Sequence, residues 1–329
     1  MPVTRNDVAK AAGVSPGVVS YVLNSGPRPV SADTRQRVLN AVEVLGYKRD
    51  GLARSLKTGR TDTLGVILPD ASNPFFAELA RAIEGHAYSA GKSVLVCNSA
   101  DDTDRERSYL STLLEKRVDG IILVSASGEE DLTDVLSRGI PIVAMDRYRA
   151  HTGVSTVRFD NRHAGYTATR HLMEHGYTRI ALITGPGSVP VSDERLQGYG
   201  EALTQDPGHP SYIQGAPFTF AGGYEAIQTL LKHSSLPSGI ICSSDVQAVG
   251  ATAALVEQGL LMPGDVALVS IDGTALTAFT NPSLTTMGQP IAQMARLAIE
   301  AVLHGGTATH ATLKGQLTIR RSCGCAPHT

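Results

Sequence analysis

Thr4-Arg5-Asn6-Asp7-Val8-Ala9-Lys10-Ala11-Ala12-Gly13-Val14-Ser15-Pro16-Gly17-Val18-Val19-Ser20-Tyr21-Val22-Leu23-Asn24 is the stretch from which the rest of the chain is best read. Val8 and Ala12 lie four apart, as do Val18 and Val22, with Val19 and Leu23 beside them, so two short helices each carry one apolar face. Ala9 is small enough to let the second helix cross close to the first. Gly13 supplies the positive φ that ends the first helix. Ser15 is suited to cap the second, and Pro16 to its first turn, where a missing N–H costs nothing. Two helices around such a turn make a helix-turn-helix, whose second helix is shaped to enter the DNA major groove. The candidate DNA-contacting residues of this head are Thr4, Ser15, Pro16, Gly17, Val18, Ser20, Tyr21 and Asn24.

A third helix is predicted over 34–45, with Val38, Leu39, Val42 and Leu45 on its inner face, Ser31 or Asp33 at its start and Gly46 at its end. It is followed by Asp50-Gly51-Leu52-Ala53-Arg54-Ser55-Leu56-Lys57-Thr58-Gly59-Arg60, with one apolar edge and several cations. A helix this short is marginal in water on its own. Residues 1–60 hold ten lysines and arginines against four acids, a formal charge of +6, while the remaining 19 basic and 27 acidic residues carry −8. Affinity for phosphates is therefore concentrated in the head, and the acidic body is unsuited to cling to DNA.

From Leu64 the pattern changes. Apolar runs at 64–68, 94–97, 120–124, 142–145, 180–184, 240–242 and 266–271 alternate with helical periodicity at 75–88, 105–116, 163–174, 246–258 and 291–303. Strands alternating with helices imply parallel sheets covered by helices. At 329 residues there is room for a small head and two such lobes. Ligands of open α/β sheets bind where loops leave the carboxyl ends of strands. Read that way, Asn73, Phe75, Phe76, Asp146, Arg147, Asn161, Arg195, Phe218, Ser244, Asp272 and Gln289 are candidate binding residues. Phe75 and Phe76 are adjacent, so one of them is expected to reach the cleft and the other the core. Asp245 is expected to cap the helix that follows it.

The order of helix-turn-helix, third helix and Leu-Ala-Arg-Ser-Leu-Lys segment resembles the lac repressor (LacI/GalR) family of bacterial transcription regulators, and the similarity runs through almost the whole chain. The resemblance implies an α/β fold: an all-α helix-turn-helix head over 1–49, a hinge helix and linker over 50–60, and a two-lobed body like periplasmic binding proteins over 61–329. Lobe one would span about 61–160 and 290–318, lobe two 161–289 and 319–329. The family's hinge helix folds on operator DNA, which brings Ala53, Leu56 and Lys57 into the DNA-contacting set, with Leu56 as an apolar wedge in the minor groove. The resemblance also implies a homodimer, a repressor of transcription on double-stranded operator DNA, and a small effector in the cleft. Its polar ring matches Asn73, Asp146, Arg147, Asn161, Arg195, Asp272 and Gln289, and its aromatic walls Phe75, Phe76 and Phe218, a set most like that of pentose binders. Ser244 departs from them, since an Asn is usual there. A non-sugar metabolite such as a nucleobase is the alternative effector. Pro16 and Gly17 also stand where the family usually places side chains that touch bases, and Tyr21 where a basic residue is common.

An enzyme carrying a DNA-binding head is the reading from another class. Gly185-Pro186-Gly187 follows a strand, but Pro190 replaces the third glycine of a dinucleotide fingerprint, and no phosphate loop or Gly-x-Ser-x-Gly elbow occurs. No cofactor and no metal are expected. His163, His171 and His175 are read as surface residues, Cys97 and Cys242 as small core residues, and Cys323-Gly324-Cys325 as a tail strand. The absence of a long apolar span or export signal points to a cytoplasmic protein without membrane association.

Overall fold

The computed structural model describes residues 3–24, 29–48, 59–127, 130–147, 153–205, 211–232, 236–305 and 307–325. They form two compact units, 1–61 and 62–329.

In the first unit, α1 (Arg5–Ala12), α2 (Pro16–Asn24) and α3 (Ala32–Leu45) pack around Val8, Ala9, Ala12, Val19, Val22, Val38 and Ala41. Thr4 caps α1: its hydroxyl and backbone N–H both donate to Asp7 Oδ2, at 2.6 and 2.8 Å. Gly13 takes φ 63° as the turn requires, and Arg37 Nη1 from α3 donates to the Ala12 carbonyl at 3.2 Å, bracing that turn. Leu39, expected on the inner face of α3, is 42% exposed. The stripe set by 3.6 residues per turn passes through Val38, Ala41 and Val42 instead.

The second unit contains two six-stranded sheets. The first has the order β11-β5-β4-β3-β1-β2, from β1 (Thr63–Leu68), β2 (Ser93–Asn98), β3 (Gly120–Val124), β4 (Ile142–Met145), β5 (Ser155–Phe159) and β11 (His310–Leu313). The second has the order β12-β10-β9-β8-β6-β7, from β6 (Ile180–Thr184), β7 (Ser211–Gly215), β8 (Gly239–Cys242), β9 (Ala267–Asp272), β10 (Thr285–Gly288) and β12 (Gln316–Thr318). Every pairing is parallel except that of β10 with β12. Central strands such as β3, β4 and β6 are buried along their whole length, as strands covered by helices on both faces must be. The covering helices are α4 (Pro74–Ser89), α5 (Thr103–Glu115), α6 (Thr133–Ser137), α7 (Asn161–Glu174), α8 (Pro190–Thr204), α9 (Phe220–Leu230), α10 (Asp245–Glu257) and α11 (Ile291–His304). No helix among the described residues is long and apolar enough to cross a membrane.

The chain passes between the sheets three times: after β5, after β10 and between β11 and β12. The last crossing comes earlier than expected. Residues 316–318, assigned from sequence to the first lobe, pair antiparallel with 286–288 in the second sheet. Cys323 and Cys325 do not form a strand but follow β12 in a turn closed by Gly324, φ 77°. The crossings are tightly stacked. A Cβ on Gly315 would lie 1.9 Å from the Gly288 carbonyl oxygen and 2.8 Å from the Phe159 ring. Gly315→Ala should therefore cost about 1–3 kcal/mol, the usual range for overpacking. Urea unfolding of the full chain measures this, and an unchanged midpoint would show that the crossings do not limit packing.

Candidate functional site

The carboxyl ends of β1, β4, β8, β9 and β10 feed residues into one cleft between the two sheets of the body. On the first lobe, Asn73 caps α4, its Oδ1 accepting the Phe75 N–H at 3.0 Å, and Pro74 occupies the first turn. This starts the helix at the cleft edge. Both Phe75 and Phe76 line the cleft, packed edge-on with ring centres 5.1 Å apart at 66°. The expected division of labour between them is thus not seen; their T-shaped contact lets two successive aromatics form one wall. Asp146 and Arg147 follow β4. The Arg147 guanidinium lies 5.1 Å from the Phe76 ring centre and 5.6 Å from that of Phe218, and its Nη1 donates to Asp101 Oδ1 at 2.6 Å.

On the second lobe, Arg195 projects from α8 and is held on three sides. Its Nε donates to Asn161 Oδ1 at 2.8 Å, its Nη1 donates to the Ser243 carbonyl, and its Nη2 stands 3.8 Å from Asp272 Oδ1. Asn161, placed in the binding ring from sequence, does not line the cleft. It is fully buried behind Arg195, and its Nδ2 donates to the Phe159 carbonyl at 3.2 Å. It positions a cleft residue without reaching the cleft. Ser244 lines the cleft, but its Oγ accepts the Gln247 N–H at 3.3 Å and so caps α10. Asp245, the expected cap, points inward instead and accepts from Ser270 Oγ at 2.5 Å, Thr274 N–H at 2.7 Å, Thr274 Oγ1 at 2.8 Å and Thr286 Oγ1 at 3.0 Å. Its backbone N–H donates to Asp272 Oδ2 at 3.3 Å, while Gln289 Nε2 donates to Asp272 Oδ1 at 2.9 Å.

Two further features mark the cleft. Asp146 and Asp272 both have positive φ, 57° and 131°, conformations that L-residues adopt at a cost and that cluster at functional sites. Phe218 reaches the cleft because residue 185 is glycine; a Cβ there would lie 2.0 Å from the Phe218 ring. Sequence reasoning missed Val191, which joins the lining from the first turn of α8. Pro190 at the start of a helix was the signal that would have placed it. It also missed Asp101, the partner of Arg147, and the shielded Asp245 network behind Asp272.

Burial raises the Asp146 carboxyl above its ordinary range, against the pull of Arg195 and Arg147. Burial, reinforced by Asp245, pushes Asp272 up to about 8 in spite of Arg195. Asp245 is raised by burial as well, opposed by its four hydroxyl and amide donors.

Comparison with known proteins gives this architecture its place. Residues 4–50 match the model of bacterial regulatory proteins of the lacI family, and residues 61–308 that of periplasmic binding proteins and the sugar-binding domain of the LacI family. The chain belongs to the lac repressor (LacI) family. The HTH-type transcriptional repressor PurR of Aliivibrio salmonicida is 33% identical over 304 residues, covering 91% of each chain. The ribose operon repressor of Haemophilus influenzae is 35% identical over 302 residues, again covering 91% of each. Among solved structures, the lac repressor dimer bound to operator and an anti-inducer superposes with a TM-score of 0.88 at 26% identity, over 98% of this chain and 99% of that one. The protein is a LacI-family DNA-binding repressor.

In the head of this LacI-family repressor, Ser15 caps α2, the Val18 N–H donating to its Oγ at 3.4 Å, and Ser15, Pro16 and Gly17 are exposed at the helix start. Val18, Ser20 and Tyr21 are half-buried along α2. Thr4, expected at DNA, spends its hydroxyl on Asp7 as the α1 cap. The side chain of Asn24 and residues Ala53, Leu56 and Lys57 lie outside the described residues.

The cleft carboxyls generate a pH dependence. A carboxyl with a raised folded pKa binds its proton more tightly in the folded state, so its contribution is full below the ordinary carboxylate range and is lost as pH rises toward about 8. Ligand-free protein should lose stability between pH 5 and pH 8, by at most about 1.4 kcal/mol per pH unit for one proton. Asp272→Asn should flatten that slope. Chemical unfolding across the range is the measurement, and equal slopes in both proteins would show that Asp272 is not the titrating group.

Proposed function

We propose that the operator affinity of this repressor is controlled by a small polyol, a pentose or closely related sugar, held in the cleft between the two lobes. The observation that carries the reading is a pair of buried acceptors. Of the buried side-chain polar atoms without a hydrogen-bond partner among the described residues, two belong to cleft-lining residues, Asp146 Oδ1 and Gln289 Oε1. Buried acceptors left without donors are costly, so the cleft is built for a ligand that brings O–H or N–H groups to both lobes. The same cleft offers the donors of Arg147, Arg195 and Asn73. A sugar hydroxyl donates and accepts at once, which suits alternating carboxylates and guanidinium groups. Phe75, Phe76 and Phe218 supply faces for its C–H surface.

The relatives divide between repressors named PurR and a ribose operon repressor, and a nucleobase is the competing ligand. A planar base asks for parallel aromatic faces above and below it. The edge-on Phe75–Phe76 pair and the guanidinium of Arg147 stacked between Phe76 and Phe218 favour the non-planar ligand. The ligand would bridge Asp146 and Arg147 on one lobe to Arg195, Asp272 and Gln289 on the other, favouring one lobe angle.

The protein is proposed to act as a homodimer on a two-fold operator, since one recognition helix reads only a half-site. Exposed Tyr88 at the end of α4, with Leu95 and Val96 on the edge strand β2, gives the body an apolar surface fit for a second copy. The segment at 50–60, with Leu56 as the wedge, is proposed to order on DNA, and the change in lobe angle to be felt there.

A melting-shift panel of ribose, arabinose, xylose, hypoxanthine and guanine tests the ligand class. A pentose is expected to raise the melting temperature and to change operator binding; a shift with the purines alone would replace the sugar reading by the nucleobase one. Arg195→Ala should leave ligand-free operator binding intact and weaken the effector roughly 10- to 100-fold, the worth of a charge-assisted hydrogen bond. An unaltered response in that variant would remove Arg195 from the site. Ser244→Asn keeps a capping side chain and should raise affinity for ribose; unchanged or lower affinity would assign Ser244 to capping only.

A further inference from the structure

The strongest unassigned chemistry lies in the second lobe, away from the cleft. His171 on α7, Cys323 and Cys325 bring one donor atom each to within 4.8 Å of one another. The Cys323 and Cys325 sulfurs are 3.2 Å apart, and Cys325 Sγ is 3.4 Å from His171 Nε2. From sequence the histidine was read as a surface residue and the cysteines as a strand. In fact His171 is 7% exposed and Cys323 1%, and Cys325 is half-buried. Gly324 bends the chain so that both thiols fall on one side.

We propose that His171, Cys323 and Cys325 form a binding site for a tetrahedral thiophilic cation of the zinc class, with three protein ligands and a fourth position for solvent. Metal–sulfur and metal–nitrogen bonds of about 2.3 and 2.0 Å set tetrahedral edges of about 3.5–3.8 Å. The 3.2 Å sulfur–sulfur and 3.4 Å Cys325–His171 separations are near those edges, and the remaining pair, Cys323 and His171, lies within 4.8 Å, so side-chain rotation about Cys323 and His171 is what seats the ion. Two thiolates and an imidazole select zinc-like cations over magnesium or calcium, which take oxygen. Groups that orient the ligands are also present. Thr285 Oγ1 donates to Cys323 Sγ at 3.0 Å, and Tyr177 Oη donates to the Cys323 carbonyl at 3.1 Å, fixing the turn that presents both sulfurs. Half-exposed Cys325 leaves a route of entry. Bound there, the ion would fasten the end of the chain to α7, whose other end carries Asn161, the residue that holds Arg195.

Full-length protein, reduced and freed of metal under anaerobic conditions, is titrated with Zn2+ and, as a coloured probe, with Co2+. Wild type should take up one equivalent per chain, and the cobalt form should show thiolate-to-metal charge-transfer absorption. Cys325→Ser and His171→Gln should bind Zn2+ more than about 100-fold more weakly, because loss of a ligand's outer partner alone costs about 10- to 100-fold. Cys97→Ser, in the other lobe, should bind as wild type, and circular dichroism checks that each variant is folded. No uptake by wild type, a cobalt spectrum without the thiolate band, or undiminished binding by both folded variants would overturn the site. So would a Cys323–Cys325 disulfide as the sole product, with no Zn2+ bound after its reduction.

Discussion

Two carboxyls and two guanidinium groups are buried together in the body, and most of its local structure serves to make that tolerable. An isolated ion in a protein interior is prohibitively costly, so each must be paired or hydrogen-bonded. Arg195 is the case that organises the second lobe. Asn161 from the start of α7, the Ser243 carbonyl from the end of β8 and Asp272 from the end of β9 all converge on its guanidinium. Asp272 is in turn steadied by Gln289 and by the backbone of Asp245, whose own carboxyl is saturated by hydroxyl and amide donors. The arrangement stays incomplete toward the first lobe. Asp146 reaches the cleft from a left-handed backbone and keeps one oxygen without a partner among the described residues. Buried carboxyls raised above their ordinary range, beside acceptors left unspent, are a binding site's signature more than a core's.

The three crossings decide how this site responds. Phe159, Gly288 and Gly315 crowd together there, with no room for a Cβ on Gly315, so the lobes are joined through a narrow bundle of backbone. Among the contacts that span the lobes beside it, Arg158 of β5 pairs with Glu194 of α8, and Ala275 N–H donates to Glu78 Oε1 of α4 at 2.9 Å. Both lie on half-buried or exposed groups, where an ion pair is worth about 1 kcal/mol or less. Several charge-assisted bonds from one ligand to both lobes would together exceed such ties, since each is worth about 1.5–3 kcal/mol.

The sequence made the site unusually legible, because its residues sit at the ends of strongly apolar strands. The runs at 120–124, 142–145 and 180–184 coincide with β3, β4 and β6, and residues at or just beyond the ends of β4, β8, β9 and β10 line the cleft. What escaped was the weakly patterned chain. Strands β5, β7, β10, β11 and β12 are short, polar or at sheet edges, and Thr285–Gly288 or Gln316–Thr318 carry no alternation to detect. Without them the third crossing fell too late. Asn161 was found but given the wrong neighbour, since spacing along a chain does not distinguish a residue in a cleft from one a layer behind it. The proximity of His171 to Cys325 is a contact across 154 positions, for which neither motif nor periodicity offers a signal.

The head poses the opposite problem, being clear as a fold and spare as a reader. Its turn is over-determined, by the Thr4–Asp7 cap, Gly13 and the Arg37 brace, so α2 is presented rigidly. Yet the exposed start of α2 offers Ser15, Pro16 and Gly17, and the Ser15 hydroxyl is already engaged with the Val18 N–H. Base edges are told apart by hydrogen-bonding side chains or by apolar contact with the thymine methyl. A surface with so few donors can discriminate only modestly through direct contact. Beyond direct contact, a DNA reader can gain selectivity from the energy of deforming the duplex, which depends on sequence at positions no side chain touches. The segment after the head, 50–60, is basic, with Arg54, Lys57 and Arg60 against Asp50, and its leucines are Leu52 and Leu56. An apolar side chain that unstacks a base step works only when the duplex yields, so any wedge in this segment would tie affinity to the deformability of the DNA as well as to its base edges.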